Sequence, residues 1–355
     1  MNSNGNRPFL LRPAGKDYLW GGRRLKDDFS KEIEMEPLAE TWECSTHPDG
    51  PSICASGPDE GRKLIDILRE HPEYIGSHPA VQPDGGLPVL VKLIDASQDL
   101  SVQVHPDDEY AFQHENGSLG KTEMWYVVDA KKDAKIIYGF SRDMTKGLLR
   151  KSLEQGTVGR YLQSVPVRKD DVYVIEPGTV HGVGAGTLVA EVQESSNITY
   201  RLHDYNRKDR NGNLRPLHLE KALEVSTLKG SMQPRQPVRV LKYRPGAATE
   251  LLYRCRYFQV ERMLVNTERV RSMADLKTDG SSFRILLCID GCATVFLNEE
   301  STQNESSDSA SISSEGNKED LSATWSLFRG DCMFIPADSI PLKIHGNAQF
   351  LTVIC

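Results

Sequence analysis

Within Ser101-Val102-Gln103-Val104-His105, a glutamine and a histidine stand two residues apart, the spacing that aligns side chains on an extended chain. Strand residues alternate between faces, so Ser101, Gln103 and His105 share one face and the two valines share the other. Pro106 and two aspartates end the run. After a polar loop, Lys121-Thr122-Glu123-Met124-Trp125-Tyr126-Val127-Val128 reads as a second strand with Lys121 and Glu123 on a common face. Two such strands bring an amide oxygen, an imidazole and a carboxylate to one point, and three N/O donors suit a divalent transition metal with an open position. His181 is a fourth candidate donor: it follows a strand at 171–175 and a Pro177-Gly178 turn. Taken alone, a histidine near a turn is more often solvated or hydrogen-bonded than a ligand, and glutamine is a rare ligand. The set is stronger than its members.

These side chains need strands to carry them. Residues 87–95 form a nearly continuous apolar run interrupted by Lys92, which is costly to bury unless its head is paired or reaches a polar cavity. An edge-strand charge is the plainer reading; because this run leads directly into 101–105, the cavity is favoured. Residues 39–45 alternate, and Trp42 there reads as core filling rather than as a ligand wall. Helices are expected over 63–70, ending before Pro72, over a stretch capped by Asp143 and stopped by Gly156, and near 216–225. Strands are expected at 134–140 and through 165–192. Prolines 234 and 237 mark a boundary, after which strand patterning resumes through 258–262, 283–295 and 325–355. Residues 298–322, rich in Ser, Glu and Asp, read as a disordered loop. Residues 171–177 are echoed at 331–336, but where His181 follows the first proline Ile340 follows the second. The echo argues for two related antiparallel barrels, only the first equipped for chemistry. The expected organisation is a catalytic domain over 1–235 and a smaller domain without metal ligands over 236–355.

Composition sets bounds. The chain has 355 residues, 38% hydrophobic, with a net charge of −7 from 50 acidic and 43 basic residues. No basic block supports nucleic-acid binding, and an acidic protein that holds an anion must gather its cations locally. The N-terminus lacks the apolar core of a signal peptide and no run approaches a membrane span, so a cytoplasmic location with no membrane partner is expected. Seven cysteines form no CxxC pair; Cys288 and Cys292, four apart in an apolar run, read as free thiols.

The sequence resembles the type I mannose-6-phosphate isomerases (phosphomannose isomerases) of the cupin superfamily, in their short bacterial form. The resemblance is carried by residues 101–106, 121–126, 177–181 and 200–205, in that order along the chain. It implies a mainly β fold of two cupin-like antiparallel β-barrels, or jelly rolls, with a few short helices. It further implies one zinc ion per chain, bound by Gln103, His105, Glu123 and His181. Arg201, Glu191 and Lys121 fall on catalytic positions, and Ser101, Lys92 and Arg201 on substrate-binding ones. The implied reaction interconverts mannose 6-phosphate and fructose 6-phosphate by moving a proton between C1 and C2 through a cis-enediol, with a phosphorylated hexose as the partner and no obligate protein partner. Longer members carry a histidine where this chain has Gly120, so a base at that position does not carry over and Glu191 is the carboxylate chosen. The alternatives are a non-catalytic cupin that binds sugars and a cupin metal oxygenase; the cationic pocket and the glutamine donor fit the oxygenase less well.

Overall fold

The computed structural model describes residues 6–209, 211–270, 272–298 and 324–355. The segment expected to be disordered, 298–322, lies outside them except for Asn298. The fold is mainly β, with three antiparallel sheets and five short α-helices among the described residues.

The chain divides into two compact units. One comprises the segment ending at Arg12, Ile53–Gly86 and Arg239–Cys355; the other comprises Pro13–Ser52 and Leu87–Val238. The expected division at 235 and 236 is continuous in sequence, whereas the compact units are interleaved. The cause is long-range pairing: Phe9–Arg12 lies antiparallel to Cys332–Ile335 on one side and to Ile53–Cys54 on the other. The first unit is built on a ten-stranded sheet whose core includes Met263, Leu286, Val295 and Phe350. Both halves of the sequence echo are strands, Val172–Ile175 and Cys332–Ile335. In place of the expected closed barrels, each sheet runs from one edge strand to another, with no pairing that joins its ends among the described residues.

The second unit is a sandwich. Its six-stranded sheet runs Val172–Ile175, Glu123–Ala130, Thr187–Glu194, Val89–Ala96, Glu40–Cys44, Ala14–Lys16. Its five-stranded sheet runs Tyr200–His203, Val102–Val104, His181–Val183, Lys135–Phe140, Leu162–Pro166. A core that includes Ile94, Trp125, Ile136, Val165, Val183 and Val189 draws side chains from both sheets, as two packed layers require. The other face of the five-stranded sheet packs on helices Lys146–Glu154 and Leu219–Val225, where Val102, Val104, Leu149, Leu202 and Leu223 share a second core. Val102 and Val104 therefore turn toward the helices, and the side chain between them, Gln103, turns into the sandwich.

Helix boundaries differ from expectation in two places. The Lys146–Glu154 helix is capped by Thr145, whose hydroxyl accepts from Leu148 N at 3.1 Å. Asp143 instead accepts from Gly230 N at 2.8 Å, so a tertiary partner removes it from the competition. The polar loop after His105 contains a helix, Asp108–His114, capped by Asp107 accepting from Tyr110 N. All seven thiols are free, and no helix among the described residues is long and apolar enough to cross a membrane.

Candidate active site

Two cross-strand rows bring the site together. In the five-stranded sheet Arg201 is opposite Gln103, Gln103 is opposite His181, and His181 is opposite Tyr138. In the six-stranded sheet Trp125 is opposite Glu191, Glu191 is opposite Lys92, and Lys92 is opposite Trp42. Directly opposed residues of neighbouring strands project to the same face, so each row acts as a unit. The rows meet inside the sandwich, with the Trp125 and His181 rings edge-on at 5.5 Å. Lys92 is on an interior strand, which removes the edge-strand reading.

His105, Glu123 and His181 are buried, with ligand-type atoms all within 4.8 Å of one another. His105 Nδ1 donates to Ile198 O at 2.7 Å and His181 Nδ1 to Thr179 O at 2.8 Å, which leaves both Nε2 lone pairs for the interior. Such outer hydrogen bonds are how metal-ligating imidazoles are oriented. His181 is delivered by a turn in which Thr179 N donates to Glu176 O at 3.0 Å and Gly178 takes φ 85°, a conformation that glycine adopts without strain. Gly178 N donates to His105 O at 2.9 Å, tying the turn to the first histidine. Lys121 Nζ forms an ion pair with Glu123 Oε1 at 2.7 Å, and beyond that pairing the two buried carboxylate oxygens have no hydrogen-bond partner among the described residues. A buried carboxylate so placed between two imidazole lone pairs fits a cation. Gln103 Nε2 is 3.4 Å from His181 Nε2 while its Oε1 accepts from Ser101 Oγ at 3.3 Å. Amide oxygen and nitrogen are interchangeable by a flip, which turns Oε1 toward the histidines as a fourth donor.

The titration of this cluster follows from burial and charge. Burial, and then the Lys121 ammonium, push His105 down to about 3, and burial also lowers His181. Burial opposes ionisation of Glu123, but Lys121 and His105 outweigh it and hold the carboxyl well below its ordinary range. Both imidazoles are thus neutral and the carboxylate charged, the states a metal requires.

Beside this cluster is a cavity of about 240 Å³ lined by Ser101, Gln103, Lys121, Lys92, Glu191 and Arg201. Glu191 Oε1 is 3.2 Å from Lys92 Nζ, and its Oε2 accepts from Trp125 Nε1 at 2.7 Å. Burial and the neighbouring Glu123 raise the Glu191 pKa against the pull of Lys92 and Lys121. Burial disfavours the Lys92 ammonium, yet Glu191 and Glu40 more than restore it and its pKa is raised. The two shifts are compatible because three carboxylates, Glu40, Glu123 and Glu191, surround this lysine. Trp42 is fully buried and outside the cavity wall, where its Nε1 donates to Glu40 at 2.9 Å. The sequence reading missed several of the cavity's residues, notably Glu40, Asn197 and Arg215. Glu40 had a signal, a carboxylate alternating with Trp42 on a strand face; Arg215, in an irregular segment, had none.

The fold and the buried His-Glu-His cluster beside a cationic cavity define a β-sandwich protein with a site suited to a divalent metal. Residues 9–132 match the family described as phosphomannose isomerase type I, catalytic domain. Mannose-6-phosphate isomerase ManA of Bacillus subtilis is 41% identical over 254 residues, 71% of this chain and 78% of that protein. Probable mannose-6-phosphate isomerase GmuF of the same organism is 44% identical over 222 residues, 62% of this chain and 69% of that one. The crystal structure of the mannose 6-phosphate isomerase from Bacillus subtilis superposes with a TM-score of 0.83 at 32% identity, covering 98% of this chain and 99% of that one. The chain belongs to the type I mannose-6-phosphate isomerase family.

Proposed function

We propose that the protein is a zinc-dependent aldose–ketose isomerase that interconverts mannose 6-phosphate and fructose 6-phosphate. The observation that carries the reading is Glu123, buried between two imidazole lone pairs, beside a cavity lined by Gln103, Lys121 and the raised carboxyl of Glu191. Gln103, His105, Glu123 and His181 hold one zinc ion, whose N/O donor set is that of a borderline cation. When bound, zinc supplies Lewis-acid polarisation of the substrate's O1 and O2 oxygens. On the open-chain sugar Glu191 takes the proton from C2 and returns it to C1 while the hydroxyl proton passes from O2 to O1, a transfer for which a base needs a pKa brought toward the working pH. Lys92 and Trp125 fix the plane of that carboxylate. Lys121 adds positive charge where the enediolate oxygens develop negative charge, and Arg201, with Ser101 at 3.3 Å from its Nε, holds anionic oxygens of the sugar phosphate. Under this reading the Pro13–Ser52 and Leu87–Val238 unit is the catalytic cupin-like jelly roll, and the enzyme works in the cytoplasm without an obligate protein partner.

A coupled assay with mannose 6-phosphate, run beside a metal determination, tests the reading. Stripping the metal is expected to abolish turnover and zinc to restore it. Glu191→Gln is expected to keep zinc while losing roughly 10²–10⁴ in kcat, the range for removal of a general base. Full activity in rigorously metal-free protein would rule out the metal mechanism, and near-normal turnover by Glu191→Gln would rule out that base. Substrate binding without any turnover would instead favour a sugar-binding protein.

A further inference from the structure

We propose that Arg215 binds the phosphate of the substrate alongside Arg201, and that Asp204 is the residue that positions it. This rests on the sugar-phosphate reading above and extends it to a residue outside the recognised motifs. The chain leaves strand Tyr200–His203 at Asp204 and returns so that His218 N donates to Arg201 O at 2.8 Å and Arg201 N donates to His218 Nδ1 at 3.1 Å. That return brings Pro216 O within 2.9 Å of Arg201 Nη1 and sets Arg215, one residue earlier, in the wall of the same cavity.

Asp204 is only 5% exposed and is the carboxylate that organises this corner. It accepts from Arg215 Nε at 2.7 Å and from Arg215 Nη2, a two-legged fork that fixes the guanidinium plane. It also pairs with Arg207 Nη2, while the remaining Arg207 nitrogens donate to the carbonyls of Asp99 and Asp204. Burial pushes the Asp204 carboxyl up, but the forks from Arg215 and Arg207 outweigh it and hold the pKa below the ordinary carboxylate range. Arg207 is fully committed; the two cavity arginines are not. Arg201 spends Nε on Ser101 and Nη1 on Pro216, and Arg215 spends Nε and Nη2 on Asp204. Arg201 Nη2 and Arg215 Nη1 have no hydrogen-bond partner among the described residues.

Three guanidinium groups against one carboxylate leave a local excess of positive charge in a protein whose net charge is −7. Burial, then the charge of Arg215, lower the Arg201 pKa against the pull of Asp204, so the two cavity guanidinium groups are like charges that Asp204 only partly offsets. A phosphate monoester supplies the further negative charge, close to two units, and three acceptor oxygens for the N–H groups of the two spare Nη nitrogens. Ser101 Oγ, 3.3 Å from both Gln103 Oε1 and Arg201 Nε, joins this corner to the metal side of the cavity. Neutralising Asp204 does not by itself account for Arg215, because Arg207 already pairs with that carboxylate.

The test uses zinc-loaded, full-length protein. Inorganic phosphate is titrated calorimetrically into the wild type, Arg215→Gln and Arg215→Lys, and KM and kcat are measured for mannose 6-phosphate. Losing charge-assisted hydrogen bonds to a phosphate predicts a phosphate affinity about tenfold or more weaker for Arg215→Gln, with KM raised in the same proportion and kcat within about threefold. Arg215→Lys, which keeps the charge and loses the fork, is expected to fall between the two. A folded variant of either kind with phosphate affinity and KM within about twofold of wild type overturns the proposal, as does a loss confined to kcat. If the wild type fails to turn over mannose 6-phosphate, the isomerase reading falls, and the phosphate titration still decides the role of Arg215.

Discussion

His105 and His181 each commit Nδ1 to a backbone carbonyl and turn Nε2 toward the Glu123 carboxylate, whose charge is met by Lys121 alone among the described residues, so without metal the protein holds costly polar groups in its interior. That cost depends on pH with a definite sign. His105 has a folded-state pKa pushed down to about 3 from an ordinary 6.5, first by burial and then by Lys121. Between those values the unfolded chain binds the proton and the folded chain does not. Its stability contribution is therefore present above pH 6.5 and is lost as pH falls through the window toward 3. Replacing the imidazole with a neutral amide removes this liability. In metal-free protein, His105→Gln is expected to gain in Tm relative to wild type as pH drops from about 6.5 to about 4, by up to about 1.4 kcal/mol of stability per pH unit. Thermal unfolding of both proteins at matched pH values checks it; parallel curves would mean that His105 is not held neutral.

The strands that carry the candidate ligands were legible because alternation is local: Val102 and Val104 fill the helix-side core, and the residue between them has to face the other way. Lys92 was legible for the opposite reason, as a charge in an apolar run that needs a polar destination. What escaped was set by distant partners. Asp143 is of a type that caps at least as well as Thr145, and the choice turned on Gly230 far along the chain. Arg215 takes its place from Asp204 across an irregular loop, which no periodicity reports. Gly120 belongs to this class too, since its meaning is visible only in packing. A Cβ there would lie 2.5 Å from Asp107 C and Asp108 N, both backbone atoms, so the position has no room for the histidine of longer family members. The contact holds segment 106–108 against the start of the Glu123 strand, where Lys121 N donates to Pro106 O at 3.1 Å and Gly120 N to Asp108 Oδ1 at 2.9 Å. Gly120→Ala is therefore expected to push His105 and Glu123 apart, costing about 1–3 kcal/mol by overpacking and lowering zinc occupancy after dialysis. Wild-type zinc retention and Tm in this variant would show that the backbone contact is not needed to set the ligand spacing.

All of the candidate ligands and cavity residues lie in one compact unit, Pro13–Ser52 with Leu87–Val238, which suggests that a chain ending at 238 could suffice for the chemistry. The strand pairing argues otherwise. Phe9–Arg12 and Ile53–Cys54 belong to the other unit, where Phe9, Leu10 and Leu11 are opposite Phe334, Met333 and Cys332, and Phe9 and Phe334 stack with ring centroids at 5.3 Å. A chain cut after residue 238 keeps these two strands but loses the sheet they complete, leaving Phe9 and Leu11 without their buried partners and presenting an unpaired edge. Helix Leu64–Glu70, whose Leu64, Ile67 and Leu68 are almost wholly buried, belongs to the same stranded segment. Burying a large aliphatic or aromatic side chain contributes about 1.5–3 kcal/mol, so losing the burial of five such residues removes an amount comparable to the whole net stability of a typical domain. The 1–238 fragment is thus expected to aggregate or to bind zinc poorly although every proposed ligand is present. Soluble yield and zinc content beside the full chain measure this, and a monomeric 1–238 protein with wild-type zinc affinity would mean that the N-terminal segments do not depend on the C-terminal sheet.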